Sequence, residues 1–284
     1  MEENVMGEKD ITEKMLADYN DVFADIVNVL MFKGKRVIDE FALENIKDKS
    51  QFKINKQIHE EERDIAKIIK GQNRRIALLG LEHQTDIDED EVFRVIAYDG
   101  VSYKSELLNN RKERYPVITL VLYFGEKRWN KAKSLYEALD IKDEWKPYVN
   151  DYKINLFEIS YLEPEQIQMF ESDFKIVADY FVQMRINKNY VPSKETINHV
   201  DAVLKLMYVL TGNAEFEEMQ NYQIEGGITN MYKTVGMFRA QGMIEAYYSM
   251  NVPVEDIAKK MNMDENEVKK IIDVLKLNKE EPPA

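Results

Sequence analysis

The stretch RRIALLGLEHQTDIDEDEVFRVIAYDGVSY, residues 74–103, decides how this chain folds. It opens on an apolar run, Ile76 to Leu81, too short to cross a membrane and bounded like a buried strand. The run ends in Glu82-His83-Gln84, then an acidic cluster, then a helix-like segment carrying Arg94, Tyr98, Asp99 and Tyr103. Side chains alternate along a strand, so Glu82 and Gln84 share one face while His83 takes the other. A carboxylate and an amide therefore leave a buried strand side by side.

Outward from that stretch the pattern alternates between helix and strand. Residues 13–32 repeat apolar side chains at helical spacing, with Asp25 and Asn28 on the flank, and end in a basic turn that includes Lys33, Lys35 and Arg36. Residues 37–58 read as irregular. Glu62 to Lys70 and Arg74 to Gln84 flank Gly71-Gln72-Asn73 and read as a hairpin, which sets Asp64 near Glu82 or beyond it. Segment 87–107 reads as a helix on which Arg94 and Tyr98, and Asp99 and Tyr103, form pairs four residues apart. PVITLVLYFG, residues 116–125, has the β-branched, uncharged character of a central strand. A short helix at 134–139 and an edge strand near 151–159 follow. The order implies an α/β fold with a mixed sheet.

Strand signals stop after Tyr161, and the rest reads as helices at 164–187, 193–211, 228–250, a short one opened by Pro253, and 265–276 behind an Asp264 cap. We place a domain boundary near residue 160: a mixed-sheet domain over 1–160 and an all-helical region over 161–284. The last two helices resemble a helix-turn-helix. The second offers a partly acidic face, so a structural pair or the dimerisation element of a homodimer fits better than a reader of bases.

Composition removes several chemistries. With no cysteine, thiol catalysis, disulfides, iron–sulfur ligation and a thiolate zinc site are excluded and a cytoplasmic location is expected, while three scattered histidines argue against a His-rich metal site. No run is long enough for a membrane helix, and the first residues carry no signal-peptide pattern. A net charge of −13 argues against a general polyanion binder, unless positive charge is gathered locally. The nucleotide-loop, GxSxG and HExxH signatures are missing. What remains is oxygen chemistry. Asp64 and Glu82, with the backbone carbonyl of His83, could hold a hard divalent cation such as Mg²⁺, and Gln84 could orient a water. By spacing alone, a solvated strand terminus is the default reading of the same residues. The alternation of Asp86, Asp88 and Asp90 suggests a calcium loop, but Glu91 and Ala97 stand where that loop needs glycine and glutamate. Acidic residues complementing a helix N-terminus fit better.

The ordered blocks DVFADIVNVLMFKGKRVI, ERDIAK, IALLGLEHQT, FRVIAYDGVSY, PVITLVLYFG and YVNDYKINL, over about residues 14–160, resemble the recombination-promoting nuclease and YhgA-like transposase family of the PD-(D/E)XK nuclease superfamily. The resemblance implies a restriction-endonuclease-like mixed sheet flanked by helices, followed by the helical C-terminal region. It implies Asp64 as the metal-binding aspartate and Glu82 and Gln84 as an E-x-Q form of the (D/E)-x-K pair. Asp25 and Asn28 match the polar residues of the first helix, and Arg94, Tyr98, Asp99 and Tyr103 match the R…YD…Y block. Two positions depart from the pattern: Gln84 replaces the superfamily lysine, and Glu106 stands where the family has glutamine. The implied activity is a Mg²⁺-dependent (or Mn²⁺-dependent) DNA endonuclease linked to recombination or mobile elements. The rival expectation is a catalytically weak or inactive nuclease fold that serves as an interaction module. Arg94 and Tyr98 could brace Glu82 or touch phosphate. Lys33, Lys35, Arg36, Lys127 and Arg128 are candidate contacts to the DNA backbone, against the simpler reading of solvated loop cations.

Overall fold

The computed structural model describes residues 16–46, 49–54, 57–62, 65–71, 75–108, 114–221 and 231–280. The sheet strands are β1 (Leu43–Asn45), β4 (Ile65–Lys70), β5 (Arg75–Gln84), β6 (Val117–Tyr123) and β7 (Asn155–Glu158), in the order β1-β4-β5-β6-β7. Strands β2 (Lys49–Ile54) and β3 (Gln57–Glu62) form a separate antiparallel hairpin. The β1–β4 and β4–β5 pairs are antiparallel, while β5–β6 and β6–β7 are parallel. Parallel neighbours need a crossover, and two helices supply it: α2 (Glu91–Leu108) between β5 and β6, and α3 (Leu135–Leu139) between β6 and β7.

Register assigns the faces. Lys67 is paired with Leu79, and Glu82 with Val121, so Lys67, Leu79, Leu81 and His83 point to one side and Gly80, Glu82, Gln84, Thr119 and Val121 to the other. The first side is covered by α1 (Asn20–Leu30) and, through Phe124, by α5 (Phe174–Asn187). The second is covered by α2, whose Val92 and Val95 pack on Val121 and Ile154. A mixed sheet flanked by helices is thus what the alternating pattern predicts.

Three segments differ from their expected form. Residues 37–58 are not irregular: a 3-10 turn over Glu40–Ala42 leads into β1, and β2 and the start of β3 follow. The pairing of β1 with β4 includes a polar contact that apolar alternation does not reveal, Asn45 opposite Lys67. Segment 164–187 is two helices, α4 (Pro164–Ile167) and α5, because the turn between them gives two backbone N–H groups to Asp25. Helix α6 runs Val200–Thr211 rather than starting at 193, its entry fixed by the His199 N–H donating to Asp173 at 2.5 Å.

Helices α7 (Ala214–Asn221), α8 (Met231–Ser249), α9 (Val254–Met261) and α10 (Glu265–Glu280) complete the described chain. The strands end at Glu158, near the boundary expected at residue 160. Two compact units part further along: Met1–Val191 with His199–Glu217, and Pro192–Asn198 with Glu218–Ala284. In the second, Ile244 of α8, Ile257 and Ala258 of α9, and Val268 and Ile272 of α10 share one core. The α9–α10 turn uses Asn262 at φ 52° and the Asp264 side chain, which accepts from Asn266 N–H at 2.8 Å. Among the described residues no helix is long and apolar enough to cross a membrane.

Lys67 has no exposed surface. Its ammonium donates to the Asp18 carbonyl at 2.6 Å, to Asn20 Oδ1 at 2.8 Å and to Asn45 Oδ1, and it lies over the Phe23 ring. Burial pulls its pKa down to about 8, against the opposing pull of Asp18 and Asp21. Between about 8 and the unfolded value of about 10.5 the unfolded chain binds more protons, so this group makes stability rise with pH across that window. Urea melts at several pH values should show the wild type gaining on Lys67→Met from pH 8 upward. A difference that stays flat or shrinks there would contradict the assignment.

Candidate functional site

Glu82 sits near the C-terminal end of β5, between β4 and β6, and has no exposed surface. A carboxylate in that position has lost its water and needs a positive charge nearby. Helix α2 brings one. Arg94 Nη2 lies 3.9 Å from Glu82 Oε2 and 3.4 Å from the Tyr98 hydroxyl. Nη1 donates to Asp88 Oδ2 at 2.9 Å and lies 3.8 Å from Glu91 Oε2. Burial alone would lower the guanidinium's pKa, but Tyr98, Asp88 and Glu91 together hold it above its usual value. Asp88 is held below the usual carboxylate range: its own burial is outweighed by the Asp90 N–H and by Arg94.

The acidic run before α2 divides its work. Asp88 Oδ1 accepts from Asp90 N–H at 2.8 Å, and the Asp90 carbonyl accepts from the N–H groups of Phe93 and Arg94. These bonds begin the helix, as expected of acidic residues at an N-terminus. Glu91, however, is as fully buried as Glu82 and shares Arg94 with it. Sequence reasoning passed over Glu91. Its signal was the i,i+3 spacing to Arg94, on the same flank as the apolar positions Val92 and Val95.

Gln84 is half-buried on the same face as Glu82, and its backbone carbonyl accepts from Phe124 N–H at 2.8 Å. His83 is buried on the opposite face with its ring stacked on Phe124, centroids 6.0 Å apart. Asp64 lies outside the described residues. Its neighbour Ile65 is paired with Leu81, one position before Glu82. Asp99 accepts from Thr119 Oγ1 at 2.6 Å and from the Tyr152 hydroxyl, tying α2 to β6 and to the approach to β7. The Tyr103 hydroxyl accepts from Val117 N–H at 3.1 Å, and Tyr115 donates to Glu106 at 2.6 Å. The R…YD…Y block thus holds α2 on the sheet along its length, and Arg94 braces the buried acids.

The polar residues of α1 are fasteners too. Asn28 Oδ1 accepts from the N–H groups of Val37 and Ile38 and its amide donates to the Ile38 carbonyl at 2.8 Å, latching the turn through Lys33 and Gly34. Gly34, at φ 81°, has the left-handed backbone that favours glycine. Asp25 pairs with Arg36 at 2.5 Å and accepts from Glu171 N–H at 2.9 Å and Ser172 N–H at 2.7 Å.

Of the basic side chains expected to meet DNA, two are engaged within the protein. Arg36 binds Asp25 and Glu171, and Arg128 pairs with Glu158 at 3.1 Å while lying 3.8 Å over the Tyr161 ring. Trp129, next to Arg128, is buried edge-on against Tyr123. Lys33, Lys35 and Lys127 are exposed.

Among the described residues, no group of three or more carboxylate or histidine side chains is arranged to hold a metal ion. Glu82 with the His83 carbonyl is an all-oxygen set of the hardness magnesium and manganese prefer. It fits such an ion as part of a shell that Asp64 and water would complete.

A family model described as putative transposase, YhgA-like, matches residues 15–211. No curated protein and no solved structure matches the chain.

Asp25 accepts three hydrogen bonds, from Arg36 and from the Glu171 and Ser172 N–H groups. Asp25→Ala would leave the two backbone N–H groups without their acceptor and Arg36 with only Glu171 and the Met169 carbonyl, and should cost about 3–5 kcal/mol in urea unfolding. A loss below about 1 kcal/mol would show that the turn at 171–172 holds by other means.

Proposed function

The chain belongs to the YhgA-like transposase family, and from that premise we propose that it is a metal-dependent DNA endonuclease acting in recombination or on mobile elements. The observation that carries the reading is the wholly buried Glu82 at the C-terminal end of a central strand, with Gln84 beside it on the same face. Asp64, the residue before Ile65, supplies the second carboxylate of the proposed site. Glu82, Asp64 and the His83 carbonyl would hold Mg²⁺ or Mn²⁺. Such an ion, when bound, supplies Lewis-acid polarisation of the phosphodiester and a lowered pKa for water. Gln84 orients that water by hydrogen bonding and brings no charge. Arg94, held in part by the Tyr98 hydroxyl, stands 3.9 Å from Glu82 as a nearby positive charge. Lys33, Lys35 and Lys127 are the exposed cations on offer to the DNA backbone.

One observation favours a second reading, a nuclease fold used as an interaction module without cleavage. The superfamily lysine is Gln84 here, and Lys67, the buried lysine of β4, lies on the opposite face of the sheet and cannot substitute for it.

Plasmid nicking with Mg²⁺ or Mn²⁺ tests the first reading. Glu82→Gln and Asp64→Asn should each lower the rate by about a hundredfold or more while melting near the wild type. Equal rates in all three proteins would remove the site assignment. Calorimetry that finds no Mn²⁺ binding at millimolar concentration would favour the interaction module.

A further inference from the structure

Arg94 does more than its family position implies. Its guanidinium is unevenly shared: the 2.9 Å bond goes to Asp88, whereas Glu82 and Glu91 are held at 3.9 and 3.8 Å, electrostatic rather than hydrogen-bonding distances. The Glu82 and Glu91 side chains are 0 and 1% exposed, while Arg94 is 40% exposed and Asp88 30%. The cation is therefore anchored at the rim of the site and leans inward over two buried acids.

We infer that Arg94 is, among the described residues, an internal counter-ion of this site: it helps balance Glu82 and Glu91 when no divalent ion is bound, and its Nη2 edge must swing away from Glu82 for one to enter. The inference rests on the metal-site reading above. Two cations cannot serve the same buried carboxylates at full strength, because their mutual repulsion is screened little away from water. Arg94 thereby sets how tightly the site takes its metal, as a competitor. Asp88, already bonded to Nη1, keeps the guanidinium at the rim as Nη2 moves away. Arg94 is thus a positioning residue whose removal has opposite effects on two properties. It should loosen the fold around α2, where the Asp88 and Tyr98 contacts are lost. It should tighten metal binding, where a repelling charge is lost. A brace that merely orients Glu82 would lower both.

The test is equilibrium Mn²⁺ binding to the full chain, read from the electron paramagnetic resonance signal of the free ion. Wild type, Arg94→Gln, Glu82→Gln and the double variant are compared, with a thermal melt of each. Arg94→Gln should bind Mn²⁺ about tenfold or more tightly than wild type, and only while Glu82 is present. Unchanged or weaker binding in Arg94→Gln, with wild type binding and Glu82→Gln not, would overturn the counter-ion role and leave the metal site standing. Four proteins that bind alike, or none that binds, would overturn the metal site and this role together. If Arg94→Gln gives no cooperative melt, Asp88→Asn reads the same question. Without its outer anchor the guanidinium is drawn onto Glu82 and Glu91, so Mn²⁺ should bind about tenfold more weakly, and unchanged or tighter binding overturns the role.

Discussion

A carboxylate in the middle of a sheet covered on both faces has to be balanced by charge from outside the sheet. Glu82 imposes that demand, and much of the architecture of α2 answers it. The helix begins at Asp88 and Asp90 and buries Val92 and Val95 against the sheet, which leaves Arg94 on the flank between Glu82 and solvent. Two turns on, Asp99 reaches Thr119 and Tyr152, and Tyr103 meets the backbone of Val117. A rotation of α2 that broke those bonds would also carry Arg94 away from Glu82.

The opposite face solves the reverse problem. There the buried ion is Lys67, and its balance comes from carbonyl and amide oxygens of α1, β1 and the segment before α1. Hydrogen bonds to neutral oxygens satisfy an ammonium without adding net charge. The sheet thus separates a buried cation from a buried anion. Each depends on its own covering helix.

The mixed sheet was legible because its central strands are long apolar runs bounded by polar turns, and because helix-period segments alternate with them. The face occupied by Glu82 and Gln84 followed from period-two alternation alone. β1 was not legible: Leu43 is one apolar residue in three, and its neighbour Asn45 matters for an oxygen that Lys67 finds 22 residues later. The break between α4 and α5 was hidden for the same reason, since the residue that makes it, Asp25, lies in α1. The i,i+3 spacing pairs Glu91 with Arg94, but spacing alone does not show that the first turn of α2 is pressed against the sheet and buries the carboxylate. Local patterns reveal elements, while polar contacts between distant residues are set by the assembled fold.

The Asp25 fastening bears on how the chain is made. Its acceptor is in place early in synthesis, but the Ser172 N–H it binds comes 147 residues later. At ribosomal speeds of about 5–20 residues per second, the delay is roughly 7–30 s. For that interval α1 carries Phe23, Ile26 and Val27, all without exposed surface in the finished protein, before the turn that fastens it exists. Asn20 of α1 can meet Lys67 once 47 more residues are made, so the helix can dock on the sheet well before the turn at Ser172 fastens it.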